Sequence, residues 1–200
     1  MKTLFAFALM TGPALAAPID VIDTTNALFD DLPSVVEHAD FDEECGRGEH
    51  SHPAIGFCTS DNTIYVIEGF FERDFASYEL AHVYGHAIQV RHGVADVALR
   101  AISSRRDEEE ALRGMVTRQV ECVAGVLMVR AGEPAARLRD LTEEPFDDAH
   151  WGRRPLNSGP QVSIGLEARA EWYDIGYAAQ DFSACTVGEM SSNLIVEAER

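Results

Sequence analysis

Two histidines, His82 and His86, stand four residues apart in the run Tyr78-Glu79-Leu80-Ala81-His82-Val83-Tyr84-Gly85-His86-Ala87-Ile88-Gln89. On an α-helix this spacing places both side chains on one face, where each can offer an imidazole nitrogen to a single ion. Glu79, three residues ahead of His82, shares that face and could reach a metal ion or a water held by the pair. In a chain with seven histidines the spacing also arises by chance, and a pair satisfied within a core or left on a surface looks the same, so its surroundings must decide.

A helix has to present the pair, and Phe75, Tyr78, Leu80, Ala81 and Ile88 predict one from Phe75 to about His92, closed by Gly93. A second long helix is expected from Arg105 to Val129. Asp107 to Glu110 lie near its start, where the helix dipole favours acids, and Ala131-Gly132 end it. It carries Thr117, Glu121 and Cys122. A third runs from about Leu166 to Gln180. Residues 24–41 suggest one or two short helices, with Thr24 or Thr25 as N-cap and Pro33 as interruption. Thr63 to Ile67 form a β-branched and aromatic strand, whose partner is either the segment holding Phe57 or the one after Phe70. Residues 133–162, with Pro134, Pro145, Gly152, Pro155, Gly159 and Trp151, are expected as a long loop or lid, and residues 191–200 as a flexible tail.

Other chemistry is thinner. His50 and His52 could bind a metal, but an exposed polar loop accounts for them equally. Asp147, Asp148 and His150 could hold a cation or form an acidic, solvated turn. Neither Gly-x-Ser-x-Gly nor Gly-x-Gly-x-x-Gly occurs, and there is no phosphate loop.

The chain has 200 residues, 46% of them hydrophobic and 25% charged, the composition of one globular domain. With 34 acidic residues against 16 basic ones the net charge is −18, which argues against nucleic-acid, polyanion or anionic-lipid partners. Met1 and Lys2, the apolar run Leu4 to Met10 and Ala14-Leu15-Ala16 have the order of a signal peptide (1–16), cleaved after Ala16. The run is too short to span a bilayer, and no later segment is long enough. The expected product is an exported single domain over 17–190, periplasmic or secreted, in a compartment where disulfides persist. Cys45, Cys58, Cys122 and Cys185 allow three pairings. The short first interval favours Cys45 with Cys58, leaving Cys122 with Cys185.

Four segments occur in an order that makes the chain resemble the bacterial neutral zinc metallopeptidases. They are Cys58-Thr59-Ser60-Asp61-Asn62-Thr63-Ile64-Tyr65, the histidine run, Glu121-Cys122-Val123-Ala124-Gly125, and Glu167-Ala168-Arg169-Ala170-Glu171-Trp172 leading to Cys185. The family pattern has a Cys before an Asp and an Ile-Tyr strand, an Ala-His-Glu-x-Gly-His helix, a Glu-Leu-Gln-Ala-Asp-Cys-x-Ala-Gly helix, and a His-Gly turn before an Arg-x-x-Trp helix and a Cys. The resemblance covers about Cys45 to Cys185. It implies a mainly helical α+β, zincin-like metallopeptidase domain with a small sheet packed on two long helices and two disulfides.

It also implies zinc held by two helix histidines and a downstream Glu, with the Glu after the first histidine as general base. Here the base position is Val83, the third-ligand position is Thr117, the supporting Asp falls on Glu121, and the late His falls on Ile164. The histidines and all four cysteines are retained while base and third ligand are absent. The expectation is therefore an exported, catalytically inactive relative that binds a peptide or protein partner in the former cleft between the His82 helix and the loop before Leu166. Two alternatives stand beside it. One is an active zinc metallopeptidase with a rearranged site, in which Glu121 replaces the third ligand or Glu79 the base. The other is a non-catalytic envelope protein that binds metal through His82 and His86.

Overall fold

The computed structural model describes residues 18–39, 54–146 and 162–200. In chain order these form helix α1 (Pro18–Leu28), strands β1 (Ser34–Glu37), β2 (Ile55–Cys58) and β3 (Thr63–Val66), then helices α2 (Ala76–Arg91), α3 (Val94–Ser104), α4 (Glu109–Arg130), α5 (Leu166–Ala179) and α6 (Asn193–Ala198). The architecture is mainly helical with one three-stranded sheet, in agreement with the α+β expectation.

β2 and β3 are antiparallel, Ile55 facing Val66 and Cys58 facing Thr63, so the segment with Phe57 is the partner of the expected strand. Their turn closes on Asn62 at φ 56°, and the Tyr65 hydroxyl donates to Asp61 Oδ2 at 2.9 Å. The segment after Phe70 is instead a 3-10 turn, Phe70–Glu72. β1 lies on the other side of β3, parallel to it, with Val35 opposite Ile64.

The helical expectation for residues 24–41 holds for 24–28, and the described remainder, to residue 39, is not helical. α1 starts earlier, with Pro18 in its first turn, and ends at Leu28. Pro33 then allows extended backbone, and Val35 and Val36 follow it into β1. Helix α3 is additional to the expected elements. Its buried residues Val94, Ala95, Ala98 and Ile102 lie on one face at helical spacing, an amphipathic pattern that was legible in the sequence and lies in the stretch between the two expected long helices.

The expected helices are present with shifted ends. α4 begins at Glu109 after a 3-10 turn, Arg106–Glu108, and α2 stops before Gly93, whose φ of 84° breaks the helix. α4 is the central element, packed on α2 and α5. A Cβ on Gly176 of α5 would sit 1.9 Å from Cys122 O, and one on Gly125 of α4 would sit 2.2 Å from Tyr173 O. Only two bare backbones can approach this closely. The core they enclose includes Ile55, Ile64, Val66, Tyr78, Leu80, Tyr84, Val123, Leu127, Tyr173 and Phe182.

The Cys122–Cys185 disulfide forms as expected, with Cα atoms 5.4 Å apart. One turn before it on α4, Gln119 Nε2 donates to the carbonyls of Cys185 (3.0 Å), Met190 (3.2 Å) and Ser191 (3.2 Å). Residues 191–200, expected as a flexible tail, contain α6, whose Ile195 is fully buried in the main core. Spacing alone could not reveal this, because the six-residue helix contributes one deep anchor.

The expected signal peptide, Cys45, His50, His52, Asp147, Asp148 and His150 lie outside the described residues, so the Cys45–Cys58 bond cannot be placed; no described cysteine is free. The described part of the expected loop, residues 133–146, packs on the core through Leu138 and Phe146. Among the described residues no helix is long and apolar enough to cross a membrane.

Candidate functional site

α2 meets α4 at Gly85, where a Cβ would lie 3.1 Å from Val120 Cγ1 and 3.2 Å from Val120 O. This close crossing sets Glu121, the next residue of α4, beside His82 of α2, with Nδ1 3.1 Å from Oε1. From α5 Arg169 Nη1 donates to that same oxygen at 2.5 Å. Tyr78, one helical turn ahead of His82, donates its hydroxyl to the other oxygen, Oε2, at 3.0 Å. Glu121 and Arg169 have no exposure and His82 has 1%, so the carboxylate meets protein donors rather than water.

Burial alone would raise the Glu121 carboxyl. The nearby charge of His82, followed by the charge and hydrogen bond of Arg169, outweighs it and holds the group below the usual carboxylate range. A carboxylate on Nδ1 is also the arrangement that fixes the ring of a metal-binding histidine and leaves Nε2 for a ligand. Glu121 Oε1 is thus the close ionic neighbour of His82 Nδ1, without an aligned hydrogen bond between them. Arg169 donates to Oε1 and Tyr78 to Oε2.

His86 is half-buried, and its ring lies 5.0 Å from that of His82 at 72°. The two rings remain close enough to share an ion. At the third-ligand position Thr117 is buried, and its hydroxyl donates to Arg113 O of its own helix at 3.3 Å. Val83 is a core residue. Ile164 packs with Val162 toward Gly114 of α4, one turn before Thr117, and fills apolar space. Glu79 is 3% exposed and held by two bonds from Arg73, Nε to Oε2 at 3.2 Å and Nη2 to Oε1 at 3.0 Å. Among the described residues no group of three His, Cys, Asp or Glu is arranged to hold a metal ion. Among the described residues the donor set is the two histidines, beside the three protein ligands that a catalytic zinc centre uses.

No protein-family model, curated protein or solved structure matches the chain.

Four participants, Phe146, Glu144, Ser163 and Arg169, lie outside the histidine motif. The Phe146 ring stacks on the His82 ring with centroids 3.7 Å apart and planes 7° apart. Glu144 Oε2 accepts from Arg169 Nε at 2.8 Å, and the Phe146 carbonyl accepts from Arg169 Nη2 at 3.2 Å. Ser163 Oγ donates to the other oxygen of Glu144. A signal for Arg169 exists in the sequence: it shares a helix face with Tyr173 and Gly176, residues on the buried side of α5, and an arginine there requires a buried acid. Glu144 and Phe146 carry no comparable signal, since they reach the site only through the path of the chain.

Proposed function

We propose that this protein is a catalytically silent relative of the neutral zinc metallopeptidases. In this reading it has a zincin-like domain with a second disulfide between Cys45 and Cys58, is exported, and uses the region around His82 and Arg169 to bind a peptide or protein segment. The single observation that carries the proposal is the state of Glu121. It lies 3.1 Å from Nδ1 of a helix histidine, where a supporting carboxylate of a metal site would stand, while the positions of general base and third ligand hold a core valine and a threonine whose hydroxyl donates to its own helix. A valine takes no proton, so peptide hydrolysis would lack its base and face a barrier higher by several kcal/mol.

One alternative has an observation in its favour. The 5.0 Å spacing of the His82 and His86 rings suits a shared zinc ion, bound without turnover as in a metal-storing envelope protein.

The test is peptide hydrolysis by the mature protein, prepared without a polyhistidine tag, on a mixed peptide library with and without added zinc, beside a His82→Ala/His86→Ala variant. Elemental analysis of the same samples reports the zinc content. The expected result is no turnover in any sample. Zinc-dependent, chelator-sensitive cleavage that disappears in the variant would overturn the proposal and restore the rearranged-enzyme reading.

A further inference from the structure

Residues 141–146 form a short strap across His82 and Arg169. Arg169 is wholly buried, and among the described residues its guanidinium reaches two structures. Nη1 binds the core acid Glu121, while Nε and Nη2 bind the strap at the Glu144 carboxylate and the Phe146 carbonyl. The Phe146 ring covers the His82 ring and also packs edge-on against Tyr78, centroids 6.1 Å apart. The strap therefore presents three features to the site in a fixed order: a carboxylate, an aromatic ring two residues later, and the main-chain carbonyl of that aromatic residue. These are the groups by which an extended peptide is commonly held.

From this arrangement we propose that Glu144-Pro145-Phe146 is an internal pseudo-ligand that keeps the site closed, and that the site accepts in its place a peptide with an acidic residue two positions before an aromatic one. The proposal rests on the peptide-binding reading above. Opening is physically feasible because Arg169 keeps Glu121 when the strap leaves, so no bare charge is stranded in the core. The two guanidinium nitrogens that the strap occupies then favour a carboxylate and a carbonyl in its place, and the face of His82 that Phe146 covers favours an apolar ring. An acidic-aromatic peptide supplies all three.

The test measures the rate at which diethyl pyrocarbonate modifies His82 near neutral pH, read by peptide mass spectrometry, in the wild-type chain and in Glu144→Gln and Phe146→Leu variants. Each variant keeps most of its side-chain volume, and retained far-ultraviolet ellipticity shows that the fold is intact. Loss of one charge-assisted bond or of the stacked ring is expected to raise the His82 rate about tenfold. The synthetic hexapeptide Leu-Thr-Glu-Glu-Pro-Phe, the strap's own sequence, is expected to return that rate toward wild type, whereas a scrambled hexapeptide leaves it high. An unchanged His82 rate in both folded variants, or failure of the strap peptide to protect, would overturn the proposal. Zinc-dependent cleavage by these variants would instead remove the silent-enzyme reading and leave the strap in place, so the two failures are distinguishable.

Discussion

Glu121 and Arg169 form an ion pair at 2.5 Å in which neither side chain has any solvent exposure. Such a pair is costly to desolvate and far costlier to break, because removing one partner leaves a charge with no water to solvate it. Here the pair also ties three segments together: α4 through Glu121, α5 through Arg169, and α2 through His82 and Tyr78.

Arg169→Met is accordingly expected to lower unfolding free energy by about 3–5 kcal/mol, and Glu121→Leu by a similar amount. The double variant is expected to lose clearly less than the sum of the two, since it removes both charges at once. Urea unfolding of the four proteins supplies the cycle. Strict additivity would mean that the pair does not act as a unit.

The glycines at the helix crossings allow a graded prediction. Alanine at Gly176 would place a methyl group 1.9 Å from Cys122 O, and the backbone there cannot yield without parting α4 from α5. Gly176→Ala should cost about 3 kcal/mol or more, or prevent accumulation of folded protein. Gly85→Ala meets Val120 Cγ1 at 3.1 Å and Val120 O at 3.2 Å, contacts that a helix shift of a few tenths of an ångström relieves, and should cost about 1–2 kcal/mol. Urea midpoints measured side by side would show the order, and equal losses would contradict it.

Glu133 offers a pH prediction away from the site. Burial raises its carboxyl pKa, the hydrogen bond from Ser77 opposes this, and Asp20 adds a further rise. Because the folded pKa lies above the unfolded value of about 4.3, the native state holds its proton longer, and stability is lost as pH rises through the folded pKa. Glu133→Gln removes that loss while still accepting from Ser77. Its melting temperature should therefore gain on wild type at neutral pH and lose this advantage at acid pH, as calorimetry across the range would show. A constant difference at every pH would refute the assignment.

The Cys122–Cys185 bond closes a separation of 63 residues and is fully buried. Cys122→Ala/Cys185→Ala is expected to cost about 2–5 kcal/mol, chiefly by freeing the unfolded chain. Denaturant unfolding under oxidising conditions measures it. A smaller loss would show that neighbouring bonds already hold the segment.

The long helices were legible because apolar residues repeat along them at helical spacing, and their ends carry glycine or acidic signals. β1 was not. Its two valines follow a helical-looking stretch, and its place depends on parallel pairing with β3, almost thirty residues further on. α6 escaped for a related reason, since one buried isoleucine gives no periodicity. At the site, the histidine pair could be read from its spacing. The role of Glu121 could not, because a glutamate beside Cys122 suits a metal ligand, an orienting group and a buried ion pair equally. Its buried partner Arg169 comes from 48 residues away, and Glu144 and Phe146 join Arg169 across 25 and 23 residues, distances that only tertiary packing spans.

Gln119 holds the Cys185 carbonyl one turn of α4 away from the point where Cys122 holds its sulfur. If the disulfide is reduced, the amide still fixes the main chain of Cys185, together with that of Met190 and Ser191, against the same stretch of helix. The two thiols then remain neighbours at high effective concentration, and re-oxidation proceeds within a docked pair rather than by a search through an open chain.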